Sequence, residues 1–173
     1  MSRIFFFFGI ICILLSLYLV WIRYTPQSLA FNSLPSSTYT STSQKTPVRI
    51  DIARLNISLA IYPMTQTRGK WMATDKGVAY LSSTPLPGER GNSVLYGHNW
   101  PNLLGHLVAI RPGDDIIITF SDGTTKHFQV AFTTTVTPDE THVLSQGQDS
   151  RITLYTCTGF LDSKRFVAVA SPL

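Results

Sequence analysis

The sequence predicts an all-β protein: a closed or nearly closed barrel of about eight short strands with short helices, carried behind an N-terminal transmembrane helix. Three observations lead there. From residue 47 onward, short β-type segments alternate with Gly- and Pro-rich turn signals, and helical periodicity is nearly absent. The apolar excess sits at the start, where Ile4 to Ile22 contains no charged residue. Between the two lies a polar stretch with no apolar pattern.

Residues 1–3 form a short head carrying Arg3, and residues 4–22 form the apolar run. That run matches the ~20 residues of helix needed to cross a hydrocarbon core. Tyr18, Trp21 and Tyr24 gather at its far end, where aromatic belts lie. A cleavable signal peptide would have a shorter apolar region followed by a small-x-small site. Tyr24-Thr25-Pro26-Gln27 offers no such pattern, so length and flanks favour an uncleaved anchor. The short basic head and polar tail favour an N-terminus in the cytoplasm and a domain outside, with lipid around the anchor, although Arg23 partly offsets Arg3. Residues 23–46, rich in Ser, Thr and Pro, read as a flexible stalk.

The barrel domain is expected over 47–173, a length that suits one core. Val48 to Ile52 alternates apolar with charged, and Ile57 to Tyr62 follows. Gly77 to Leu81 and Asn92 to Tyr96 flank the Pro85-Leu86-Pro87-Gly88 loop. Asp115 to Phe120 and Thr125 to Thr135 flank Ser121-Asp122-Gly123-Thr124, a hairpin turn with glycine where a positive φ is needed. Arg151 to Cys157 and Arg165 to Ala170 close the chain. Pro101 to His106, extending to Val108, is the one notable helix candidate.

A net charge of +4 raises the question of nucleic acid, but there is no Lys/Arg run and no basic stripe with interleaved aromatics. The positive balance fits an anionic membrane or wall better. Of two cysteines, Cys12 lies in the apolar span and Cys157 in the domain, so the two are poorly placed to form a disulfide with each other. His106, His127 and His142 have no zinc-ligand spacing, and Asp114-Asp115 and Asp139-Glu140 do not form a calcium cluster. No metal site and no cofactor are expected.

The chemistry gathers at three strand ends. Val94 to His98 is an apolar strand ending in Gly-His, Arg151 to Cys157 one ending in Thr-Cys, and Arg165 opens the last strand. A thiolate is a nucleophile that a nearby cation favours. An imidazole can pass a proton to a leaving amine and take one from an incoming amine. A guanidinium offers fixed donors to a developing oxyanion. Each residue alone has a plainer reading: a buried small hydrophobe, a turn histidine, a solvated charge. The three together, each at a strand boundary, point to catalysis.

Gly97-His98, Thr153-Leu154-x-Thr156-Cys157 and the downstream Arg165 resemble the sortase family. Leu107-x-x-Ile110-x-x-Gly113-Asp114-x-Ile116 and the hairpin at Ser121-Asp122-Gly123 are similar to family segments as well. The resemblance implies an eight-stranded barrel and a cysteine transpeptidase. Such an enzyme cleaves the Thr–Gly bond of an LPxTG-like sorting signal through a thioacyl intermediate. It then transfers the acyl group to an amine of a cell-wall precursor or a pilin lysine. Carried over, Cys157 is the nucleophile, His98 the general acid and base, and Arg165 the oxyanion or substrate-positioning group. Thr156 shapes the substrate site through its backbone or hydroxyl. The implied partners are surface proteins or pilins bearing the signal.

Two departures stand out: Gly97-His98-Asn99-Trp100-Pro101 replaces the common Gly-His-Arg, and the loop between Cys157 and Arg165 is short. A second class of wall-peptide transpeptidase places its cysteine in a Ser-x-Gly-Cys context, which Thr156-Cys157-Thr158 does not match. The non-enzymatic alternative is a membrane-tethered barrel that binds wall peptides, since folds do not determine function.

Overall fold

The computed structural model describes residues 2–23, 29–32, 45–65 and 71–173. The barrel begins where β-branched residues alternate with polar ones. β1 (Pro47–Ile52) and β2 (Ile57–Met64) pair antiparallel, with Ile50 opposite Leu59. β3 (Val78–Leu81) pairs parallel to β2 and antiparallel to β4 (Gly91–Gly97). β5 (Asp115–Phe120) and β6 (Thr125–Val136) form the hairpin expected around Gly123. β7 (Ser150–Thr158) and β8 (Lys164–Pro172) form a second antiparallel pair. The closed order is β1-β2-β3-β4-β7-β8-β6-β5, so the eight-stranded barrel predicted from the sequence is the fold observed.

Closure gives each strand an inner and an outer face. All eight strands send apolar side chains to one cluster, among them Ile50, Ile61, Val78, Leu95, Ile118, Phe128, Leu154 and Ala168, which identifies the barrel interior. A second cluster draws on β3, β4, β7 and β8, with Val136 at the end of β6, and lies on their outer face. β4 and the length of β7 from Ile152 to Cys157 are buried throughout because both of their faces are covered. Their near-continuous apolar runs follow from that position.

Two findings depart from the sequence reading, and the N-terminal helix agrees with it. The predicted helix from Pro101 is a turn followed by a 3-10 helix at Gly105–Ala109. A Cβ at Gly105 would lie 2.7 Å from the Trp100 carbonyl oxygen, so glycine permits the close approach of the turn to the start of this helix. Within the stretch read as a stalk, Leu29 is 0% exposed and Phe31 3%. Residues 24–28 and 33–44 lie outside the described residues. At the N-terminus, α1 (Ser2–Arg23) contains 18 residues, Ile4–Trp21, long and apolar enough to cross a membrane and unburied by the rest of the chain.

Candidate active site

β4 and β7 run parallel, with Gly97 opposite Thr156 in the last registered pair. The next residues along the two strands are His98, just past the end of β4, and Cys157, still within β7, so the two stand side by side. Adjacent strands lie ~4.8 Å apart. β8 returns antiparallel and places Arg165 directly opposite Cys157. Cys157 therefore occupies the middle of three neighbouring positions, flanked by His98 and Arg165.

Strand alternation decides which way these side chains point. Cys157 shares a face with Tyr155, and Arg165 with Val167 and Val169; all but the arginine belong to the outer cluster. His98 continues the face of Val94 and Tyr96. The three predicted residues thus converge on the outer surface. Thr156 has the opposite parity. It is fully buried, and its hydroxyl donates to the Gly97 carbonyl oxygen at 2.8 Å. Its side chain clamps β4 to β7 just beneath the site, facing away from the outer groove.

The site is nearly dry. Cys157 is 2% exposed, Arg165 3% and His98 5%. Arg165 Nη1 donates to the carbonyl oxygens of Asp162 at 2.8 Å and Lys164 at 3.0 Å. Its Nη2 donates to the Ala30 carbonyl oxygen at 2.8 Å, and its Nε has no hydrogen-bond partner among the described residues. None of the ion pairs among those residues involves it. A guanidinium held by neutral carbonyls keeps its charge available for an anion. Burial holds the His98 imidazolium below the ordinary histidine pKa, against the opposing pull of Asp162 and Asp75.

A short length of the chain itself lies in the groove. Leu29, Ala30 and Phe31 each present a carbonyl to a different side chain. Tyr155 Oη donates to Leu29 at 3.1 Å, Arg165 Nη2 to Ala30, and Trp71 Nε1 to Phe31 at 3.2 Å. The Asn32 amide donates to the Pro138 carbonyl at 3.0 Å. Phe31 packs edge-on to Tyr155 at 5.1 Å, and the Arg165 guanidinium lies 6.0 Å from the Phe31 ring centroid. Trp71 stands edge-on to Tyr96, which stacks on Tyr155 at 5.4 Å. Three successive backbone carbonyls of the segment are thus held by side chains of the outer face, the Ala30 oxygen by Arg165.

Tyr155, Trp71, Leu29 and Phe31 were not singled out by the sequence. Tyr155 had a detectable signal, because it lies two residues before Cys157 on one strand face. Trp71 and Leu29 had none, since the surface that receives them is assembled from distant strands. His106, His127 and His142 are exposed, and no group of three or more potential metal ligands occurs among the described residues.

The sortase domain model matches residues 50–173. Sortase A of Listeria monocytogenes is 29% identical over 124 residues, which cover 69% of this chain and 53% of that protein. The chain thus spans about half the length of this curated relative. Among solved structures, sortase C-1 of Actinomyces oris is 31% identical with a TM-score of 0.63, over 74% of this chain and 75% of that one. Sortase A of Corynebacterium diphtheriae is 25% identical with a TM-score of 0.65, over 90% and 82%. The matched residues include β4, β7 and β8 with Cys157, His98 and Arg165 at their ends, and on that match the chain belongs to the sortase family.

Proposed function

We propose that this chain is a membrane-anchored cysteine transpeptidase acting on proteins that carry an LPxTG-like sorting signal. The observation that carries the reading is the register: Cys157 lies opposite Arg165 and beside His98 on one face of the sheet. The Cys157 thiolate adds to the carbonyl carbon of the scissile Thr–Gly bond, and Arg165 donates to the oxyanion that forms. The C–N bond then breaks, His98 passes its proton to the leaving amine, and a thioester remains on Sγ. An amine from a wall precursor or a pilin lysine attacks the thioester. His98 takes its proton, a new amide forms, and the thiolate is released.

The buried groove supports this chemistry because donors act more strongly where water is excluded. A peptide donor would replace the Leu29–Phe31 segment and take over the hydrogen bonds from Tyr155, Arg165 and Trp71. The apolar helix α1 would hold the domain at the outer membrane surface, beside both substrates.

The test is to incubate the full chain, in detergent, with a panel of LPxTG-like peptides and excess amine, and to weigh the protein by mass spectrometry. An acyl adduct on Cys157 that the amine discharges is expected, and Cys157→Ala should form none. Failure of every peptide to acylate, with a thiol inert to iodoacetamide, would favour a barrel that binds peptides without turnover.

A further inference from the structure

The residues after His98 have no place in the chemistry described so far, yet they are built tightly around it. The Trp100 ring stacks on the His98 imidazole, with centroids 4.5 Å apart and planes 11° from parallel. The loop that carries the indole is itself held. The Trp100 carbonyl accepts from the amides of Leu103 and Gly105, both at 2.9 Å, and the His98 carbonyl accepts from the Leu104 amide at 3.0 Å. Pro101 keeps the Trp100 backbone out of the helical region. The glycine at 105 is needed for the close approach, since a Cβ there would lie 2.9 Å from the Asn99 carbonyl oxygen as well. Asn99 Nδ2 then donates to Asp162 Oδ1 at 3.0 Å, tying this loop to the β7–β8 connection.

We infer that Trp100 is a positioning residue for His98: its indole face sets the plane of the imidazole and holds the imidazolium while a proton resides there. The inference rests on the acid–base role proposed above. An imidazole free to turn about its side-chain bonds would present its nitrogens to Cys157 in only part of its orientations. A displacement of ~1 Å at a reacting group can lower a rate by about 100-fold. A ring stacked on one side loses that freedom, and the π face attracts the charged form. The other groups bearing on the histidine are Asp162 from the β7–β8 connection and Asp75 from the stretch before β3. Cys157 lies beside it on β7, with Arg165 beyond on β8.

The contact has an optical signature that needs no substrate, because a protonated imidazole against an indole quenches its emission. The full chain in detergent would be titrated with acid while indole emission is followed. A quenching step is expected with a midpoint below the ordinary histidine value of 6.5. It should vanish in both His98→Gln and Trp100→Phe and persist in Trp71→Phe. In peptide transfer to glycine amide, Trp100→Ala should lower kcat by roughly ten- to 100-fold with KM within about threefold. Trp100→Phe, which keeps an aromatic face, should recover most of that loss. A quenching step that survives Trp100→Phe, or a Trp100→Ala variant with unaltered kcat and pH profile, overturns the inference. If His98→Gln keeps full turnover while the wild-type quenching step is present, the acid–base reading fails instead, so the two failures are distinct.

Discussion

Arg165 is anchored by three carbonyl oxygens and, among the described residues, by no carboxylate, so its charge is directed rather than neutralised. Two of its nitrogens are committed to fixed geometry, and only a planar fork can serve both sides at once. Arg165→Lys should therefore lower acyl transfer by about 100-fold, the range seen when an oxyanion donor is lost. Circular dichroism should show the barrel intact; near-normal turnover would mean that charge alone suffices. At this scale the sequence was informative because Cys157, His98 and Arg165 each mark the end of an apolar run. Thr156 shows the limit of that reading. It was expected to shape the substrate site through its backbone or hydroxyl; a one-residue step along a strand reverses the face, and its hydroxyl donates to the Gly97 carbonyl within the sheet.

Among the elements, the Leu29–Asn32 segment has the most consequence for function. Burying a Leu and a Phe contributes roughly 1.5–3 kcal/mol each, and four hydrogen bonds roughly 0.5–1.5 kcal/mol each. Ordering four residues costs roughly 1–2 kcal/mol of backbone entropy apiece. Central values leave about 2–3 kcal/mol in favour of docking, so under the proposed function a peptide with comparable contacts would displace the segment. Replacing Leu29 and Phe31 together by Ser should speed iodoacetamide alkylation of Cys157 by about tenfold or more and lower KM for a sorting peptide. Unchanged alkylation would show that the segment does not cover the thiol. Its docking was not legible because Leu29-Ala30-Phe31-Asn32 has no periodicity and borders on Ser- and Pro-rich sequence. Its binding surface is built from Trp71, Tyr155 and Arg165, far along the chain.

For the whole molecule, local pattern revealed the strands and their turns, whereas the pairing of β4 with β7 across more than fifty residues is a long-range fact. Val94 to Tyr96 and Ile152 to Cys157 are apolar apart from two threonines, which signals burial on two faces without naming the neighbour. The same burial links stability to acidity. The His98 pKa is lowered in the fold, so the unfolded chain binds this proton more readily. Stability should be undiminished by this residue above about 6.5, the ordinary value, and fall as pH drops below it toward the folded value. Asp114, hydrogen-bonded to Arg54, has its pKa lowered as well and adds a second loss at pH below its ordinary 3.8. Urea midpoints measured at pH 7.5 and 5.5 should differ in the wild type and draw together in His98→Gln. Equal shifts in both proteins would assign the dependence elsewhere.

The burial of Cys157 also bears on how long the thiol would survive between the proposed turnovers. Outside a cell no reducing pool restores a thiol that peroxide has carried to the sulfinic stage. Oxidation requires an accessible thiolate, and Cys157 is 2% exposed, in one buried cluster with Leu29 and Phe31. If a donor peptide displaces the Leu29–Phe31 segment as proposed, the buried thiol would be sheltered during idle time, and the resting arrangement would act as an antioxidant as well as a competitor for the groove.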